Sequence, residues 1–237
     1  MHYFFHLNNK NFDLLTCYKT FITRKKTIIN GTKIMNKIDK MLDALATEGY
    51  FLWDDFLNNE QVEHLRQCIP DNWKKARIGR NDEIMRESSI RSDKIQWLTP
   101  EQGWPIQDYL ERMEVIRREV NQNFFLGLFE YEAHFAKYEQ GDFYQKHLDC
   151  FKGNENRRLT TVFYMNESWS PEDGGELVVY DLNDQKITTI APKSGRLFIF
   201  LSEKFPHEVL PTNAERFSIA GWFRINGVKD NQLDIAQ

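Results

Sequence analysis

His147, Asp149 and His207 are the residues whose types and spacing best suit metal chemistry. Residues two apart on an extended strand point to the same side, so the His147 imidazole and the Asp149 carboxylate can reach one ion. Taken alone, an H-x-D pair fits a surface histidine beside a solvated aspartate just as well. A third ligand has to come from elsewhere, and His207, directly after Pro206, is the candidate. Two histidines and one carboxylate occupy one face of an ion and leave the opposite face open. That suits non-haem Fe(II), for which oxygen and a cosubstrate need the open positions.

Arg216 follows His207 by nine residues. Alternation along the strand it opens puts Arg216, Ser218, Ala220 and Trp222 on one side, with Phe217, Ile219, Gly221 and Phe223 on the other. A guanidinium turned into a sheet interior is costly without an anion. A dicarboxylate cosubstrate supplies one, gripped by two parallel hydrogen bonds. Tyr164 shares a face with Thr160 and Val162 and can offer its hydroxyl to the same carboxylate. Tyr138 and Tyr144 flank the H-x-D pair; core packing and pocket lining are both open for Tyr144. His134 reads as a cavity-wall or hydrogen-bonded core histidine, since a fourth protein ligand would take the position oxygen needs.

Positioning such a constellation is the work of the second half of the chain. From residue 128 the hydrophobic period is two, with strands expected at 128–138, 159–165, 176–180, 186–190, 196–201 and 217–225. Turn signals at Gly174-Gly175, Asn183-Asp184 and 192–195 separate them. Many short strands without intervening helices imply a sandwich or double-sheet jelly roll, not a parallel α/β sheet. The first half is a helical support layer. Ile38, Met41, Leu42 and Leu45 recur at helical spacing before Gly49, and Asn58 caps a helix carrying Val62 and Leu65. Pro105 opens a third with Ile106, Leu110, Met113, Ile116 and Val120. Residues 74–96, highly charged and without apolar period, read as a long loop or exposed hairpin leading to Trp97.

Composition narrows the class further. Six basic residues against Asp13 alone give residues 1–34 a net charge of +5, leaving −9 for the rest of a chain whose total is −4. An acidic body argues against nucleic acid as the substrate. Cys17, Cys68 and Cys150 form an odd set without a CxxC pair, which reads as reduced thiols in a cytoplasmic protein. No apolar run approaches the roughly 20 residues that cross a bilayer, so no membrane role is expected. Residues 1–34 read as a poorly ordered basic extension, with Met35 or Met41 opening the protein proper. Residues 35–237 are then one domain, 35–127 the helical support and substrate loop and 128–226 the jelly-roll core.

At this point the sequence resembles the prolyl 4-hydroxylase branch of the Fe(II)/2-oxoglutarate dioxygenases, most of all the oxygen-sensing (HIF-type) enzymes and their bacterial relatives. YEQGDFYQKHLD at 138–149 is similar to the family's tyrosine, glycine turn and H-x-D pattern. RRLTTVFYMNESW at 157–169, followed by Gly174-Gly175, is similar to the strand with the cosubstrate tyrosine and its glycine turn. HEVLPTNAERFSIAGWF at 207–223 matches the distal histidine, the arginine and a pocket tryptophan. IRSDKIQW at 90–97 resembles the end of a loop that closes over a peptide. The likeness spans roughly residues 40–225.

The resemblance implies an α+β protein built on a double-stranded β-helix. It implies iron on His147, Asp149 and His207, and 2-oxoglutarate held by Arg216 and Tyr164 with Tyr138 nearby. Trp97 and Trp222 would wall the pocket, with Arg91 and Asp93 on the substrate loop. The implied reaction consumes O2 and 2-oxoglutarate, releases succinate and CO2, and hydroxylates a proline in an exposed loop of a protein, with ascorbate maintaining the iron. The alternatives are a hydroxylase of a small metabolite such as a free amino acid, and a non-catalytic jelly-roll binding protein. Two departures from the family bear on the substrate. His134 stands where an apolar residue is expected, and the loop carries its own charges at Arg77, Arg80, Asp82, Glu83, Arg86 and Glu87.

Overall fold

The structure is a computed structural model of the chain, and it describes residues 37–76, 90–150, 156–229 and 232–234. The 1–34 extension and the loop charges from Arg77 to Glu87 lie outside the described residues.

Three helices form where apolar periodicity and caps coincide. Helix α1 (Lys37–Thr47) buries Met41, Leu42, Leu45 and Ala46, and Gly49 leaves it in the left-handed region at φ 84°. Helix α2 (Asn59–Arg66) opens on Asn58, whose side chain accepts from Gln61 N in a reciprocal capping box. Helix α3 (Trp104–Phe124) buries Ile106, Tyr109, Met113, Ile116, Val120 and Phe124 along one stripe.

The strands make two antiparallel sheets. The larger runs β1 (Tyr50–Trp53), β9 (Leu197–Leu201), β6 (Arg157–Tyr164), β11 (Arg216–Ile225), β4 (Leu128–Tyr138), β3 (Lys94–Trp97), β2 (Lys74–Lys75). The smaller runs β5 (Tyr144–His147), β10 (His207–Val209), β7 (Leu177–Tyr180), β8 (Lys186–Ile190). A short hairpin, β12 (Gly227–Lys229) with β13 (Gln232–Asp234), follows β11. This is the expected α+β architecture, a double-stranded β-helix with helical support.

Period-two alternation sorts the residues of the large sheet into two environments. Tyr131, Phe163 and Phe223 turn outward to the helices: the Tyr109 and Phe163 rings lie 5.5 Å apart, Phe56 and Phe163 6.0 Å. The inner face carries His134 and Tyr138 on β4, Thr160 and Tyr164 on β6, and Arg216 and Trp222 on β11. Register places Arg216 opposite Tyr138, Ala220 opposite His134 and Trp222 opposite Thr160. One core joins both layers, since Met41, Tyr109, Phe163, Leu177 and Phe200 belong to the same buried cluster.

The structure differs from the sequence expectation in three places. Residues 74–75 and 94–97, expected within a long loop or exposed hairpin, are strands β2 and β3 of the large sheet, paired with each other and, for β3, with β4. His207 is not merely past a strand; it opens β10. Asp149 lies in a bend two residues beyond the end of β5 rather than on the strand itself.

Candidate metal and cosubstrate site

β5 and β10 pair antiparallel with His147 directly opposite His207, so two imidazoles are brought together by backbone register alone. Their ring centroids are 4.3 Å apart. Each is tied at the same atom. His147 Nδ1 donates to Gln145 O at 2.8 Å and His207 Nδ1 to Phe205 O at 2.9 Å. A proton held on Nδ1 leaves the Nε2 lone pair as the available donor on both rings. His147 Nε2 is 3.7 Å from Asp149 Oδ1, and His207 Nε2 is 3.5 Å from Asp149 Oδ2. All three ligand atoms lie within 4.8 Å of one another, the one such group of His, Cys, Asp and Glu among the described residues.

The carboxylate has its own support. Thr160 Oγ1 donates to Asp149 Oδ2 at 2.7 Å and lies 2.9 Å from Ser202 Oγ. Burial raises the Asp149 carboxyl, but His207 and His147, with Arg157 and the Thr160 hydroxyl, outweigh it and hold it down at about 2. Asp149 is therefore an anion at neutral pH. Burial, reinforced by the neighbouring His207, pushes His147 down to about 3, so its ring is neutral. An anionic carboxylate and imidazole lone pairs are the donor set a divalent first-row metal takes, with no thiolate to favour zinc.

Arg216 lies on the inner face, 3% exposed. Its Nε donates to Gly175 O at 2.8 Å and its Nη1 to Ser218 Oγ at 3.1 Å. The guanidinium carbon sits 4.8 Å from the Tyr138 ring centroid and 5.2 Å from that of Tyr164. Two buried donors there, Arg216 Nη2 and the Tyr164 hydroxyl, have no hydrogen-bond partner among the described residues. Burial pushes the Tyr164 hydroxyl up to about 12, so it keeps its proton and can donate. A buried cation and a buried hydroxyl, both with hydrogens to give, fit the far carboxylate of 2-oxoglutarate.

Trp97 and Trp222 stand on either side of His134, at ring centroid distances of 5.2 and 5.5 Å. Burial and the Arg91 cation push His134 down to about 4. Its Nδ1 lies 3.1 Å from Phe135 O, so it is a neutral, hydrogen-bonded wall residue. Tyr144 stacks on His147, with centroids 3.7 Å apart and planes 15° from parallel, which places it in the site.

Arg91 and Asp93, expected on the substrate loop, pair with each other. Arg91 Nε and Nη2 bind the Asp93 carboxylate at 2.7 and 2.6 Å, and Asp93 is 1% exposed. Their charges are spent on each other inside the protein.

Arg157 was missed by sequence reasoning. Its guanidinium carbon lies 3.7 Å from the Trp222 ring centroid, and its Nη2 bonds Glu132 Oε1 at 2.9 Å. Alternation counted back from Thr160 would select Arg158, which instead pairs with Glu203 at the surface. A register shift between Phe223 and Arg224 sets Arg157 opposite Arg224 and reverses the count. Thr160, which bonds Asp149 from β6, and Ser202, which bonds Thr160 from the turn after β9, were missed because they come together only in the fold.

Residues 133–224 match the 2OG-Fe(II) oxygenase superfamily. The crystal structure of a Pseudomonas putida prolyl-4-hydroxylase superposes with a TM-score of 0.71 and 37% identity, covering 80% of this chain and 100% of that one. The chain belongs to the 2OG-Fe(II) oxygenase superfamily, whose chemistry uses Fe(II), 2-oxoglutarate and O2. A Trichoplax adhaerens prolyl hydroxylase, solved with a hypoxia inducible factor oxygen degradation domain peptide fragment, shares the fold. Its TM-score is 0.66 at 24% identity, over 92% of this chain and 94% of that one. Human Egl nine homolog 1 is 26% identical over 199 residues, 78% of this chain and 46% of that protein. The chain thus spans less than half the length of that curated relative.

Proposed function

We propose that this protein is a peptidyl-prolyl 4-hydroxylase. It uses Fe(II), O2 and 2-oxoglutarate to hydroxylate a proline in an exposed loop of a protein substrate, releasing succinate and CO2. The observation that carries the chemistry is the pair of unsatisfied buried donors, Arg216 Nη2 and Tyr164 hydroxyl, on the inner face of the large sheet from which Thr160 bonds Asp149 of the His147–Asp149–His207 cluster. The prolyl target is supported by 37% identity across the whole length of the bacterial prolyl-4-hydroxylase.

His147, Asp149 and His207 hold the metal, which when bound activates oxygen for attack on an unactivated C–H bond. Arg216 and Tyr164 grip the far carboxylate of 2-oxoglutarate, and Tyr138 packs against the guanidinium. Trp97 and Trp222 wall the space beside the metal, excluding water and orienting the prolyl ring. Ascorbate keeps the iron reduced. The protein works in the cytoplasm, a reading that rests on an odd set of three cysteines without a CxxC pair; no described helix is long and apolar enough to cross a membrane. Residues 35–237 form the catalytic domain, with 1–34 a dispensable extension.

The test is an assay of purified protein with Fe(II), 2-oxoglutarate and ascorbate on a panel of proline-containing peptides and on free proline. Mass spectrometry should show one added oxygen on a prolyl residue, coupled to succinate. His147→Ala and His207→Ala should each abolish it, and a chain beginning at Met35 should retain it. Turnover of free proline as efficient as that of any peptide overturns the protein-substrate reading in favour of a metabolite hydroxylase.

A further inference from the structure

Of the three clustered side chains, His147 is the one the core encloses least. Its side chain is 19% exposed, against 6% for both His207 and Asp149. Its partners are supported from within: the Phe200 ring packs edge-on at 5.0 Å from His207, and Thr160 holds Asp149. His147 relies instead on a stack. The Tyr144 ring covers one face at 3.7 Å, nearly parallel. The Arg91 guanidinium covers the Tyr144 ring, its carbon 4.4 Å from the ring centroid. Two hydrogen bonds to Asp93 hold that guanidinium in turn.

The backbone keeps these layers in step. Arg91 bridges Tyr144 antiparallel, Gln145 N donates to Ile90 O at 2.8 Å, and Ser92 N donates to Phe143 O at 3.2 Å. The Ser92 hydroxyl accepts from Phe143 N at 3.0 Å. Residues 90–92 therefore zip along β5, while β3, two residues on, belongs to the large sheet. Arg91 and Asp93 sit where the two sheets are stitched together, and the stack carries that junction to His147.

We propose that Arg91, anchored by Asp93, is a positioning residue for the metal ligand His147, acting through the Tyr144 ring. The inference rests on the metal-site reading above. Tyr144 alone could tilt away from the imidazole, but a cation clamped on its far face leaves it one orientation. The ring face matters here and the phenol oxygen does not. The contact is of cation–π type, and supports of this kind around a ligand histidine alter metal affinity by about 10- to 100-fold.

The experiment is a titration of the metal-free full chain with Co(II), read by its visible d–d absorption, beside the melting temperature of the metal-free protein. Arg91→Met and Tyr144→Leu should each weaken Co(II) binding by about tenfold and shift the bands. Tyr144→Phe, which keeps the ring, should match wild type in both. If Arg91→Met fails to fold, Arg91→Lys keeps a cation without the two-pronged hold on Asp93 and should give the same band shift in weaker form. Wild-type affinity and spectrum in folded Arg91 and Tyr144→Leu variants overturn the inference while leaving the metal site intact. His147→Ala separates the two readings: if it binds Co(II) as wild type does, the metal site itself is wrong and the positioning role falls with it.

Discussion

Arg216 illustrates how much one side chain reveals when no carboxylate among the described residues is paired with it. Its neighbours are two tyrosine rings, a serine hydroxyl and a glycine carbonyl, and one of its donors is unsatisfied. Burying a cation this way is unfavourable unless an anion arrives, so the residue is built for a ligand. Arg216→Ala should raise the 2-oxoglutarate requirement by the equivalent of on the order of 2–5 kcal/mol, with Co(II) affinity nearly unchanged. Arg216→Lys should rescue little, because a lysine lacks the planar fork. An unchanged 2-oxoglutarate requirement in Arg216→Ala, measured as succinate release against cosubstrate concentration, would assign the arginine a structural role.

Among the elements, the turn before β7 bears most directly on the clamp. Gly175 adopts φ +71°, and a Cβ there would meet Arg216 Cδ and Thr212 Cβ at 3.0 Å. Its carbonyl also accepts from Arg216 Nε. One backbone position therefore supplies a left-handed turn, room for the guanidinium and a hydrogen bond to aim it. Gly175→Ala should cost about 1–3 kcal/mol in urea unfolding through backbone strain. It should also raise the 2-oxoglutarate requirement, since the added methyl displaces Arg216. A loss of stability with no change in cosubstrate requirement would show that the turn serves folding alone. The register shift beside Arg157 acts similarly at the other end of β6, trading regular pairing for a cation over Trp222.

At the scale of the whole molecule, the site exists because two sheets close on each other. The small sheet contributes His147 and His207, the large sheet contributes Arg216, Tyr164, Trp97 and Trp222, and Asp149 follows in the bend after β5. Enclosure has a cost at His134, whose ring is neutral in the fold at about 4 and free to take a proton near 6.5 when unfolded. The folded-state value is the lower one, so the unfolded chain binds more protons in this window. The associated stability is fully present above about pH 6.5 and is lost as pH falls toward 4. The loss amounts to about 3 kcal/mol. Urea unfolding of His134→Leu across that range should show a shallower pH dependence than wild type by about this amount. Equal slopes for the two proteins would mean that His134 is protonated in the fold.

The sequence by itself determined the alternation of six strands and one end of each of three helices, because period, Gly, Pro and Asn act locally. It also singled out His147, Asp149, His207, Arg216 and Tyr164, whose types are unusual for inward positions and whose spacing follows the strands. What it could not decide were relations between segments distant in the chain. β10 is three residues long, too short for a periodic signal, and exists only because β5 and β7 flank it. Arg91 and Asp93 look like loop charges in one dimension; packing against β5 turns them into a buried pair stacked on Tyr144. Arg157 enters the site through a bulge that strict alternation cannot foresee. Thr160 reaches Asp149, in the bend after β5, from β6, eleven residues on. Local chemistry sets which residues can form an element and face inward, but only closure of the two sheets decides which side chains meet there.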